Sequence, residues 1–391
     1  MPDESRPLSH NGTDAAELHV LTDLAALERW RLAWQALDQC AAGRNGFFQS
    51  YAWCHGWMQA HGSDHSAHVL LIARGGQAQV IWPLMRDRAF GGVKLLRALG
   101  EPHSQYSTIL TRAAQLSEED RLLLIQGLAQ SGADAAVINY VPQDSALHGL
   151  LPAESRARQL DNLSSQFDLS GFTKPQDYVA WMSKRQRLLR RRAETFFKPQ
   201  GGLSMRVLHP GTEAFSEAAQ HCIALKRVWI EKTGRINDGL DYPGHAGFLS
   251  SLAGPRECGR AIMFSMGTAN RTIAYQIGFA HQGHYYLYTA GFDWHFRGLS
   301  PGAVLIDYVN EWLAAEGFHT FDLMGNRSGY KEQFCNKPLP LTGHILNLTW
   351  KGRVYSGLWS RRLRPAAKMM FHALPVSVRH AINRLRAKPQ H

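Results

Sequence analysis

Arg297, Gly298, Ser300 and Gly302 lie where a strand-like run, HYYLYTAG, gives way to an amphipathic run, AVLIDYVNEWLAAE. Ser300 reads as an N-cap, Pro301 suits the first helical position, and the two glycines leave the entering backbone without side-chain cover. The first turn would then offer bare amide N–H groups and the positive end of a helix dipole to an anion, and Arg297 adds a full charge beside them. The chemistry implied is the cradling of a phosphate.

Other chemistries find little support. His61, His65 and His68 have a spacing that could ligate a metal, but they sit in a polar loop without acidic or cysteine ligands, and no metal is expected. His281 and His284 flank an expected hairpin turn and should face solvent. There is neither a GxSxG elbow nor a P-loop lysine, which removes those hydrolase and NTPase classes. Five scattered cysteines, Cys40, Cys54, Cys222, Cys258 and Cys335, lack CxxC spacing and read as reduced thiols of a cytosolic protein.

The elements needed to position the anion site recur twice. ELHVL reads as a strand, followed by helices over LAALERWRLAWQALDQCA and SYAWCHGWMQAHG. A hairpin of HVLLIAR and QAQVIWPLMRDR closes at Gly75 and Gly76, and KLLRALG, the helix SEEDRLLLIQGLAQSG and the strand DAAVINYV complete the unit. From LSMRVL the order repeats: a long helix, a shorter one, three strands, the helix after Pro301, and the strand HTFDLMG. A duplicated domain is the reading. The first copy of the critical helix begins Ser117-Glu118-Glu119-Asp120, whose own carboxylates satisfy the dipole and would repel phosphate. Only the second half is expected to hold the anion.

Between the halves, YVAWMSKRQRLLRRRAETFF predicts one helix with six bases from Lys184 to Arg192 over an apolar stripe of Met182, Leu189, Ala193 and Phe196. Its bases suit a solvated face, or contact with an anionic substrate through Arg187 and Arg191. At 391 residues the chain suggests two domains of roughly 150 residues each. The plan is a disordered start (1–16), a first domain (17–160), a linker with the basic helix (161–203), a second domain (204–350) and a tail (351–391). The net charge of +11 resides after Glu332, since no acid follows that residue while eleven bases do, all but Lys337 in the tail. There Leu358, Trp359, Leu363, Met369, Met370 and Phe371 alternate with bases, which suits an interfacial helix on an anionic membrane, packing on the body, or RNA contact. No apolar run approaches the roughly 18 residues of a membrane span, and the polar, acidic start does not read as a signal peptide.

Together these segments resemble the GNAT acyltransferase superfamily, and more closely its tandem-GNAT group with CelD-like and FemAB-like proteins. In GNAT proteins the acyl-CoA pyrophosphate sits on a loop written Q/R-x-x-G-x-G/A. Arg297, Ser300 and Gly302 fall on that pattern, with Ser300 in place of the middle glycine. Tyr288 and Asp293 are similar to the group's tyrosine-rich strand ending in aspartate, SKRQRLLRRR to its basic interdomain helix, and GEPHSQYSTIL to its segment after the fourth strand. Asp322, Gly325, Tyr330 and Lys331 resemble its terminal D-x-x-G…YK signature. The resemblance covers about residues 17 to 350 and implies an α/β fold of two tandem GNAT-like domains, mixed, mostly antiparallel sheets flanked by helices, with a basic helical C-terminal tail.

It also implies acyl transfer from acyl-CoA, acetyl-CoA above all, to an amine or hydroxyl acceptor. Cell-envelope or exopolysaccharide precursors are the implied acceptors, with the tail at the inner membrane face. Tyr330 is then the candidate acid for the departing thiolate, or a packing tyrosine. Asp293 and Asp322 could take a proton or hold the acceptor, and each equally suits a turn or helix cap. Lys331 suits a phosphate or a surface pair. Two alternatives stand beside this: a FemAB-like transferase using aminoacyl-tRNA, and an inert GNAT fold that scaffolds a membrane polysaccharide synthase.

Overall fold

The computed structural model describes residues 15–358 apart from 44, 63–64, 236–237, 242–244, 253–259 and 326–328, and beyond them 369–370, 373–374 and 378. Most of the expected tail, and the start up to residue 14, lie outside the described residues.

Glu17–Leu21, Val69–Arg74, Gln77–Trp82 and Leu110–Thr111 form a four-stranded antiparallel sheet. Pro83 has no amide hydrogen for the ladder, so the chain leaves that sheet there and Leu84–Arg88 joins another. That second sheet has 11 strands and runs through both halves. In order it holds Ser204–Leu208, Arg260–Thr268, Arg271–His281, His284–Phe292, Thr320–Asp322, Asn162–Asp168, Lys337–Asn347, Ala135–Pro142, Lys94–Ala98, Leu84–Arg88 and Ser66–Ala67. The expected duplicated order of strand, helices, antiparallel strands, helix and strand is present in each half. Besides the two-residue strands Ser66–Ala67 and Leu110–Thr111, two longer strands were not anticipated. Asn162–Asp168 lies in the expected linker, and Lys337–Asn347 pairs with it and with Ala135–Pro142 of the first half.

Apolar side chains weld the halves together. Trp34, Phe47, Phe48, Trp53 and Trp57 share one buried cluster with Phe215, Cys222, Phe248, Phe279 and Tyr286 from the second half. Phe47 stacks on Phe279 with ring centroids 4.5 Å apart. Each such fully buried side chain contributes roughly 1.5–3 kcal/mol. The expected solvent position of His281 and His284 is therefore wrong: both are buried in this junction, where His281 Nε2 lies 3.2 Å from Asp38 of the first half.

The expected single interdomain helix is two, Pro175–Trp181 and Lys184–Phe197. Ser183 and Gln186 form a capping box that starts the second helix anew. Its buried face carries Gln186, Ala193 and Phe197, so Phe196 of the expected stripe turns outward. Among the described residues no helix is long and apolar enough to cross a membrane.

Candidate functional site

In the second half two parallel strands part company. His284–Phe292 runs parallel to Thr320–Asp322, but the two pair only from His284, Tyr285 and Tyr286 to Thr320, Phe321 and Asp322. Beyond Tyr286 the longer strand continues to Phe292 on its antiparallel neighbour alone, while the other chain turns away after Asp322. Among the described residues no strand pairs with that side of Leu287–Phe292, and a gap results.

The anion loop begins where that strand ends. Trp294–Leu299 forms a short 3-10 helix, capped by Asp293, whose Oδ1 accepts from the His295 amide at 3.0 Å. Ser300 follows with φ 52, and Pro301 starts the helix Pro301–Ala315. The expected side-chain cap by Ser300 is absent: its hydroxyl makes no capping bond, and its carbonyl accepts from Ala303 and Val304 instead. A left-handed conformation at this position is the physical reason a glycine would suit it. Pro301 has no amide hydrogen, so the first N–H the helix offers is that of Gly302, which lies in the first turn and has no backbone acceptor among the described residues. No acid lies in the first turn. Gly298 has open space beyond its Cα, with nothing within 4 Å of the point where a Cβ would stand. Arg297 is exposed, its guanidinium 5.6 Å over the Trp294 ring, and among the described residues its one hydrogen bond is a 3.5 Å donation to the Trp294 carbonyl. A bare amide, an open glycine and an unpaired arginine fit a phosphate-bearing donor.

The first-half counterpart is closed. Ser117 Oγ accepts from the Asp120 amide at 3.1 Å, and Arg74 bridges Glu119 and Asp120 at 2.7 and 2.8 Å.

On the far side of the gap stand Asp322, Tyr330 and Lys331. Asp322 is fully buried, with Oδ1 accepting from Ser164 Oγ at 2.8 Å and the Met324 amide at 2.7 Å. Its Oδ2 accepts from Tyr106 Oη at 2.6 Å and Gln166 Nε2 at 2.9 Å. Burial pushes this carboxyl above the usual range while those donors oppose the rise. Asp322 thus ties Tyr106 of the first half to the mouth of the gap. Asp293 is likewise engaged, since its Oδ2 pairs with Arg271.

Lys331 Nζ donates to the carbonyls of Leu323 at 2.6 Å, Met324 at 3.2 Å and Gly325 at 2.8 Å. Its ammonium thereby fixes the turn leaving the strand, and burial lowers its pKa to about 8 against the pull of Asp322, with Lys226 lowering it further. Lys226 comes from the helix Glu213–Thr233 and lies 4.2 Å over the Trp229 ring. Its pKa is lowered by burial and by Arg235. Tyr330, 49% exposed on the short helix Gly329–Glu332, has its hydroxyl pKa raised by burial, with Arg235 opposing. Arg187 and Arg191 are instead exposed on the outer face of the helix Lys184–Phe197.

The residues sequence reasoning missed are Tyr106 and Lys226. GEPHSQYSTIL drew notice only as a segment, and nothing in the periodicity of the helix bearing Lys226 distinguishes it from other surface bases. The histidines also regroup. His61, His103 and His245 bring one ring nitrogen each within 4.8 Å of one another. His103 lies between the other two rings, at 19° to His61 and 17° to His245. Near-parallel stacked rings cannot all aim in-plane lone pairs at one ion. Trp57 Nε1 donates to His103 Nδ1 at 2.8 Å, and His103 Nε2 then donates to the Gly239 carbonyl at 2.7 Å. The group is a stack bridging the halves.

Residues 183–332 match the model of the acetyltransferase (GNAT) domain. This stretch carries a GNAT-type acetyltransferase domain. The crystal structure of FemX superposes with TM-score 0.57 and 10% identity, over 84% of this chain and 98% of that one. The C-terminal domain of a protein assigned as a lysylphosphatidylglycerol synthetase from Agrobacterium fabrum gives 0.52 and 12%, over 84% and 95%. A conserved protein of unknown function from Bacteroides thetaiotaomicron gives 0.52 and 11%, over 84% and 100%. At such identities the likeness shows the fold alone, mixed sheet flanked by helices across both halves. No curated protein matches the sequence.

Proposed function

We propose that the chain transfers an acyl group from acyl-CoA to an amine or hydroxyl acceptor at the gap in the second half. The observation that carries this is the parting of His284–Phe292 from Thr320–Asp322 beside a helix start free of carboxylates. The donor's pyrophosphate would lie on Arg297, Gly298, Ser300 and Gly302, with its pantetheine arm in the gap, pairing with the unpaired backbone there. The acceptor's lone pair attacks the thioester carbonyl, a bond to carbon forms, and the carbon–sulfur bond breaks. The thiolate takes a proton from Tyr330, the acceptor's proton leaves to water, and Tyr330 regains a proton from water, so that acyl acceptor and free thiol are the products. Lys331, whose ammonium holds the turn after Asp322, would through its charge alone favour the developing oxyanion below about pH 8. The carboxylates of Asp293 and Asp322 are committed to internal partners and serve here to position the loop and the strand.

Acetyl-CoA is the first donor to test. It should raise the melting temperature, and Arg297→Glu should abolish the rise. If no acyl-CoA shifts the wild-type protein and salt-sensitive tRNA binding is found instead, the aminoacyl reading replaces this one. Ligand-free behaviour with no turnover would favour the scaffold reading. An envelope or exopolysaccharide acceptor, and contact of residues 351–391 with the inner membrane face, are further parts of the proposal that rest on resemblance and composition.

A further inference from the structure

The helix Lys184–Phe197 buries Gln186, Ala193 and Phe197 against the second half. At about 100° per residue, Leu188 stands near the centre of the opposite face, with Lys184, Arg191 and Arg192 around it and Arg185 and Arg187 at the flanks. Leu188 is 66% exposed, Phe196 near the end of the helix is 50% exposed, and Trp181, the last residue of the preceding helix, is 38% exposed. The helix has a single acid, Glu194, and it is engaged by Arg190 and Tyr308 at 2.8 Å each. Arg190 itself turns to Glu311. The other five bases have no acidic partner among the described residues.

We infer that this face docks on an anionic lipid surface. Five unpaired cations around an exposed leucine combine electrostatic attraction to headgroups with a side chain that gains by entering the acyl boundary. The long basic side chains can reach headgroups while their stems cover apolar surface. A nucleic acid would use the charges but leave Leu188 without a role. The contact would also have a consequence for the gap. Phe197 and Phe196 meet Phe296 of the anion loop with centroids 5.2 and 6.2 Å apart, so docking would hold that loop close to the lipid.

Sedimentation of the full-length protein with phosphatidylcholine vesicles, with and without phosphatidylglycerol, tests this. Binding should require phosphatidylglycerol. Arg191→Gln with Arg192→Gln should weaken it about 30-fold. Leu188→Ser should weaken it severalfold at unchanged charge. All these positions are exposed, so the melting temperature and any acetyl-CoA shift should stay as in the wild type. No binding to anionic vesicles, or binding unaffected by both variants, overturns the inference. So does RNA binding that depends on the arginine pair in a protein that ignores vesicles. Arg297→Glu should leave vesicle binding intact, so a failed acyl-CoA assay bears on the proposed activity alone.

Discussion

Replacing His245 by phenylalanine should make the protein more stable at pH 5 than the wild type while changing it little at pH 7.5. The ring of His245 stacks 4.4 Å from His103 and is buried against Phe248 and Tyr288, so phenylalanine keeps most of the packing. Burial lowers the pKa of His245 from 6.5 to about 3, with His103 and His61 adding to the fall, and burial lowers that of His103 to about 4, with His61 adding to it. A histidine depressed in the folded state binds its proton first in the unfolded chain. Its stability is therefore complete above pH 6.5 and is lost as pH falls toward the folded value. For His245 the loss by pH 5 is roughly 2 kcal/mol, from about 1.4 kcal/mol per pH unit below 6.5. Buried Asp307, raised to about 7, contributes in the opposite sense over the same window, so the wild-type profile alone does not isolate the histidine. The difference between variant and wild type does. Urea unfolding of both proteins at pH 7.5 and pH 5 measures it, and a difference that stays constant between the two pH values would refute the argument.

Ser300→Gly relieves a left-handed serine, with φ 52, and should stabilise the protein by up to about 1 kcal/mol in thermal unfolding without weakening acetyl-CoA binding. Lys331 is depressed to about 8, so if its charge assists transfer, kcat/KM should fall tenfold per pH unit well above 8, and Lys331→Met should remove that limb along with most of the rate. Tyr106→Phe deprives buried Asp322 of its 2.6 Å donor and should cost about 1.5–3 kcal/mol in denaturant unfolding, although Tyr106 belongs to the other half of the chain.

What the sequence made legible was local. Helical and strand periodicity with glycine punctuation placed the duplicated elements, and the carboxylates after Ser117 correctly set the first helix start apart from the one at Pro301. Pairing across long separations was not legible. Asn162–Asp168 is a polar strand, NLSSQFD, with no alternation to announce it, and its inward Ser164 and Gln166 serve Asp322 rather than an apolar core. His281 looked like a turn residue because the hairpin was read alone. Only the packing of the first half over that hairpin buries it. The conformation of Ser300 was equally hidden, since a serine before a proline advertises a cap rather than a positive φ.

The strand Lys337–Asn347 also sets a schedule for synthesis. Ala135–Pro142 has only two neighbours in its sheet, Lys94–Ala98 and this late strand, made some two hundred residues afterwards. Until the ribosome has delivered it, a nascent first half presents an open, apolar strand edge, the kind that pairs with other chains. The last strand therefore acts as a closing latch, and a chain stopped before residue 337 should be a client for chaperones rather than a shorter protein with one working unit.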